Sequence, residues 1–127
     1  TRWWGLTEGG AYCNGHPIRV SDVSELSDAS LSIVGEQTWR DAGRADWVKN
    51  LKSSVKRVRG YGDFWQHMLV AQGAVDIAVD AIGLEPYDIA ALIPVVHGAS
   101  GRIIDRDGNV NWQADTAISS NGLVVIA

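Results

Sequence analysis

The chain has 127 residues and a formal net charge of −4, with 46% hydrophobic and 20% charged residues. That supplies enough apolar material for the core of one domain and is too hydrophobic for intrinsic disorder. The mild acidity argues against a nucleic-acid binder, and apolar runs such as 89–96 fall far short of the roughly 20 residues of a membrane-spanning helix.

Residues 9–20 predict two short extended pieces around Asn14-Gly15, a dipeptide that tolerates the positive φ of a tight turn. Ser21–Asp28 is polar, with Ser21 or Ser24 placed to cap a short helical turn, and Ala29–Val34 has the apolar content of a buried strand. Over Arg44–Val58, Trp47, Leu51, Val55 and Val58 recur at helical spacing, and Lys49, Lys52, Lys56 and Arg57 form the opposite, solvated face. Gly60 and Gly62 break that helix. A second helix is predicted over Phe64–Gly73, with Asp63 as its N-cap, and Val75–Val79 is a strand. Pro86 opens a third helix whose buried stripe is Ile89, Leu92, Ile93 and Val96, and Gly98 and Gly101 end it. Arg102–Asp105 is a strand, Asp107-Gly108 a turn, and Ala117–Ser119 a last strand before Asn121-Gly122. Alternating strands and helices without repeat or linker give one unit of α/β class, a layered α+β sandwich.

Cys13 is the single cysteine, so neither an internal disulfide nor a CxxC-type zinc site can form, and a reducing, cytoplasmic setting is expected. Its expected place is a small buried position. The sequence starts on Thr1 without a signal-peptide pattern, as a chain does when its start was processed or cut from something longer. Some of the six tryptophans are expected to lie against surfaces that this chain alone does not complete.

Phosphate-loop, nucleophile-elbow, HExxH and GxGxxG patterns are absent from the sequence. Asp105–Asn109 resembles a calcium loop only superficially: glycine comes fourth rather than sixth, and Thr116 stands where the bidentate acid belongs. His16, His67 and His97 lack metal-ligand spacing and are expected at the surface or the edge of the core. Asp88 sits in the first turn of an otherwise apolar helix, where a carboxylate is favoured by unpaired N–H groups and the positive helix end.

Tyr87-Asp88-Ile89-Ala90-Ala91, followed by Val95-Val96 and Gly98-Ala99-Ser100-Gly101, resembles the C-terminal signature of the inositol monophosphatase superfamily. The likeness extends in order along the chain, through Thr1–Trp4, Gly9–Tyr12, Arg59–Trp65, Met68–Gly73 and Ser119–Leu123. Gly-Asp-Phe-Trp, Glu-Pro-Tyr-Asp and Ile93–Val96 most resemble the histidinol-phosphatase branch. The resemblance implies a Mg²⁺-dependent phosphomonoesterase acting on a small phosphorylated metabolite, with carboxylates holding the ions. It implies Asp88 as metal ligand and catalytic aspartate, Gly62 and Asp63 as lining the substrate pocket, and Asp80 as a contact to the alcohol part of the substrate. It also implies a homodimer.

Three departures from the signature stand out: His97 for a Glu, Ser100 for a Gly, and Leu92 for a small residue. A larger one is the missing acidic motif, a Glu followed downstream by Asp-Pro-(Ile/Leu)-Asp-Gly-Thr, which carries most of the family's metal ligands. The resemblance therefore implies that residues 1–127 are the C-terminal half, inactive alone, with the metal-binding N-terminal half elsewhere. Histidinol phosphate is the leading substrate. Inositol 1-phosphate or another small ester, and a non-catalytic partner-binding piece, remain open.

Overall fold

The computed structural model describes residues 2–6, 9–62, 64–111 and 113–126. Strands β1 (Trp3–Leu6), β2 (Gly10–Cys13) and β3 (His16–Ile18) form an antiparallel sheet in that order. Cys13 faces His16 across the two-residue Asn14-Gly15 loop, whose φ values of 51° and 81° are those of the tight turn expected there. Cys13 is half-buried rather than buried, because it lies on this thin sheet.

The second sheet has five strands: β4 (Ser30–Ile33), β5 (Arg57–Arg59), β6 (Ile77–Val79), β7 (Arg102–Ile104) and β8 (Ile118–Ser120), in the order β5-β4-β6-β8-β7. β4 pairs in parallel with β5 and β6, whereas β8 runs antiparallel to β6 and β7. Alternation along β6 sends Ile77 and Val79 into one core and Ala78 into the other. Helices α3 (Trp65–Ala71) and α4 (Pro86–Gly98) fill the space between the two sheets, packed with Met68, Val70, Ile89, Leu92 and Val96. On the far face, α1 (Glu36–Asp41) and α2 (Ala45–Ser54) bring Trp39, Val48 and Leu51 against Leu31, Ile77 and Ile118. The fold is the layered α+β sandwich that the alternation of elements implied.

Several boundaries differ from the sequence expectation. The long amphipathic segment stops at Ser54, and Val58 belongs to β5, where backbone pairing with β4 outweighs helical periodicity. The α1 helix was not foreseen. The turn over Leu26–Asp28 starts at Glu25 without a side-chain cap, so neither Ser21 nor Ser24 caps it. Ser21 instead donates its hydroxyl to Asp76, whose other carboxylate oxygen accepts the Ser30 N–H at 2.7 Å. The N-cap position of α3 is Phe64, and Asp63 lies outside the described residues.

Candidate functional site

The parallel strands β4, β5 and β6 point their carboxyl ends to one edge of the sheet, where ligands of open α/β sheets bind. Asp80 follows directly on β6, and Gly62 lies three residues beyond β5. A cleft of about 440 Å³ opens here, lined by Phe64, Asp80, Leu84, Asp88 and Leu92. Two of the residues expected from the sequence, Asp80 and Asp88, thus share one cavity. A larger groove of about 490 Å³ lies along α2 and shares no residue with this cleft. Its Lys52 is paired with Glu36 at 3.0 Å, as expected for the solvated face of that helix.

Asp88 is exposed in the first turn of α4, where Oδ2 accepts the Glu85 N–H at 3.0 Å. This is the capping geometry that the sequence suggested, and it fixes the carboxylate at the mouth of the cleft. Asp80 is held much more firmly. Its N–H donates to the Ala117 carbonyl at 3.1 Å, and its own carbonyl accepts the Trp39 indole N–H at 2.8 Å. Its Oδ1 accepts the Ala81 N–H at 2.9 Å, and Oδ2 lies 2.9 Å from Nε2 of His67.

His67 corrects the expectation of a surface or core-edge histidine, because it is completely buried. Its Nδ1 lies 2.7 Å from Oγ of Ser119, which is equally buried. Serine, histidine and aspartate therefore stand in line, but with the aspartate facing the cleft and the serine at the back. A nucleophilic serine has to meet its substrate, so this order excludes a hydrolase triad of the serine type. The neighbouring Gln66 is satisfied in the same way, accepting from Ser32 Oγ at 2.7 Å and donating to the Val79 carbonyl at 3.2 Å. His16 is exposed, and His97 is half-buried; partial burial, with the Arg102 charge adding, lowers the His97 pKa from the ordinary histidine value.

With this geometry in hand, the comparison with known proteins decides the family: the profile of the inositol monophosphatase family matches residues 1–126. The chain belongs to the inositol monophosphatase family. The histidinol-phosphatase of Streptomyces coelicolor is 37% identical over 126 residues, which is 95% of this chain and 47% of the relative. That of Mycobacterium tuberculosis is 39% identical over 128 residues, 97% of this chain and 49% of the relative. The chain spans about half the length of these curated relatives. The solved inositol monophosphatase of Zymomonas mobilis superposes with a TM-score of 0.84 at 25% identity, covering 94% of this chain and 47% of that one. The expected superfamily, its histidinol-phosphatase-like branch and the fold class are all borne out.

For a family whose resemblance implied Mg²⁺, the donor set can be tested directly. Among the described residues, no group of three or more His, Cys, Asp or Glu side chains is placed to hold a metal ion. Asp88 offers one exposed carboxylate, whereas octahedral Mg²⁺ needs about six oxygen ligands. The described residues therefore do not make a metal site by themselves. Asp105 is no alternative, since its Oδ1 is taken by the N–H groups of Asp107 and Asn109, both at 2.9 Å. Gly62 is half-buried, does not line the cleft, and has a φ of 61°, with open space where a Cβ would sit. The glycine is required there by backbone conformation rather than by crowding within the chain. The buried polar residues behind Asp80 that sequence reasoning missed, His67 and Ser119, are 52 positions apart. Their one visible signal was the polar pair Gln66-His67 inside an apolar helix, since buried polar groups require partners.

Proposed function

We propose that this chain is the substrate-recognising C-terminal half of a Mg²⁺-dependent phosphomonoesterase that hydrolyses L-histidinol phosphate to L-histidinol and phosphate. The observation that carries the proposal is the pairing of Asp80 and Asp88 on one cleft at the carboxyl edge of the sheet. Similarity to histidinol-phosphatases at 37% and 39% identity supports the same substrate. Histidinol phosphate carries an ammonium group and an imidazole next to its ester, and the Asp80 carboxylate, the one not assigned to the metal, favours such a cationic alcohol over a neutral polyol. In this proposal Asp88 contributes one ligand to a metal set completed by acidic residues outside this sequence. Bound there, Mg²⁺ would neutralise charge on the phosphoryl group and leaving oxygen. Asp80 contacts the alcohol part; Gly62, which is not on the cleft wall, and Asp63 are assigned as neighbours of the substrate on the family resemblance alone. A homodimer in the cytoplasm belongs to the same proposal.

The test is a set of phosphatase assays on the full-length protein, using L-histidinol phosphate, inositol 1-phosphate and a nucleotide monophosphate. Histidinol phosphate should be turned over best. Equal or better turnover of inositol 1-phosphate overturns the substrate assignment, and no hydrolysis of any ester leaves a binding module as the better account. Asp88→Asn should lower kcat by about 100-fold or more. An asparagine oxygen still accepts the Glu85 N–H, so the circular dichroism spectrum should not change. Wild-type turnover in that variant removes Asp88 from the metal set.

A further inference from the structure

The arrangement behind Asp80 assigns a role to a residue that never reaches the cleft. His67 is fully buried and touches Asp80 through Nε2 at 2.9 Å and Ser119 through Nδ1 at 2.7 Å. A carboxylate oxygen only accepts, so the hydrogen of this contact sits on Nε2, and Nδ1 of a neutral ring takes the Ser119 O–H. Ser119 is itself fixed, because it lies in β8 opposite Ala78 of β6, inside the sheet. The imidazole is thus a strut between a sheet-bound hydroxyl and the carboxylate at the cleft. The other Asp80 oxygen is held by the Ala81 N–H, so both oxygens are oriented from the protein side. Of the roughly four lone-pair sites of a carboxylate, two are engaged, and the 12% of the side chain left exposed faces the cleft.

We propose that His67, anchored by Ser119, is a positioning residue that holds the Asp80 carboxylate in the one orientation that accepts N–H or O–H donors from the alcohol part of the substrate, and so sets selectivity among phosphate esters. The inference rests on the reading of Asp80 given above. Without the strut the carboxylate turns about its own axis and competes for water, and pre-organisation is lost without loss of the group itself. A ligand held by remote contacts in ground and transition state alike shows such a loss in KM rather than in kcat.

The experiment compares L-histidinol phosphate with phenyl phosphate, whose leaving group has no donor to offer Asp80, on the full-length enzyme. His67→Leu should raise KM for histidinol phosphate about tenfold with kcat within about threefold. The phenyl phosphate kcat/KM should stay within about twofold. His67→Gln, which keeps an N–H donor, should recover most of the loss. Ser119→Ala, a smaller residue in a buried site, should move selectivity in the same direction as His67→Leu and serves where the leucine variant does not fold. Equal damage to both esters, or no change in selectivity in the folded variants, overturns the proposal. Asp80→Asn separates the two levels. If it leaves selectivity untouched, the assignment of Asp80 fails and that of His67 falls with it. If it removes selectivity while His67 and Ser119 variants do not, only the strut is rejected. In ¹⁵N spectra the imidazole hydrogen should sit on Nε2, and a hydrogen on Nδ1 alone overturns the geometry.

Discussion

Ser100 holds a φ of 71°, a left-handed conformation in which an L-residue pays about 1–2 kcal/mol. It does so because α4 ends in a Schellman motif: Gly101 N–H donates to the Val96 carbonyl at 2.8 Å and Ser100 N–H to that of His97 at 3.0 Å. The position that the family signature gives to glycine is therefore occupied by a residue that the geometry disfavours. Ser100 is exposed and its side chain makes no packing contribution to either core. Ser100→Gly relieves that strain but costs about 0.4–1 kcal/mol, because glycine gives the unfolded chain more conformational freedom to lose. The net effect should be a gain of about 0.5–1 kcal/mol, read as a higher urea midpoint at unchanged m-value. A lower midpoint would mean that the serine contributes something this geometry does not contain.

Among the elements, α4 does the most to position the site, and it does so by lying almost in contact with the backbone of the β1–β2 hairpin. A Cβ on Gly98 would stand 2.4 Å from the Gly10 carbonyl oxygen and 2.7 Å from that of Leu6. On the facing strand, a Cβ on Gly5 would meet the Pro94 carbonyl oxygen at 2.6 Å. Backbone oxygens cannot swing aside as a side chain can, so Gly98→Ala must push hairpin and helix apart. The cost should be about 1–3 kcal/mol, measured by thermal unfolding, with amide shifts concentrated in β1 and β2. Unchanged stability would show that the two elements are less closely packed than described.

The sequence had Gly98 end α4, and it is the last residue of that helix; its close packing on the hairpin is a second role that only the neighbouring element could reveal. The same holds for the segment after Arg44. Trp47, Leu51, Val55 and Val58 all do face one core, but Val58 reaches it from a strand. Periodicity reports which side is buried, and cannot tell which element buries it when helix and strand meet within a few residues. By contrast, the start of α4 and the Asn14-Gly15 hairpin were legible because their signals are local: a proline at the first turn, an acid behind it, and two residues that accept positive φ. Asp80 and Asp88 were legible as a pair only through family resemblance. His67 left only one trace, the polar pair Gln66-His67 inside an apolar helix, since its partners come from β8 and from the end of β6.

Across the whole molecule, Phe64 of the cleft, its chain neighbour Trp65, and Tyr87 next to Asp88 are large apolar side chains that the described residues leave in water. Tyr87 is 74% exposed, Phe64 57% and Trp65 47%, while Trp39 in the far core is fully buried. A fringe of this kind marks a surface that another chain or segment covers, which supports the proposed pairing with a metal-binding half. The metal chemistry leads to a quantitative expectation. One carboxylate on an exposed helix turn leaves Mg²⁺ essentially hydrated, since the ion gives up water reluctantly and needs about six oxygens in near-octahedral array. Residues 1–127 alone should therefore show no saturable heat on titration with millimolar Mg²⁺, and Asp88→Asn should give the same trace. Adding the acidic half should produce a saturable isotherm that Asp88→Asn weakens. The two titrations separate a ligand from a site: if the 127-residue chain binds Mg²⁺ with micromolar affinity and loses it in Asp88→Asn, the missing oxygens must come from this chain, and the division of labour between the halves is wrong.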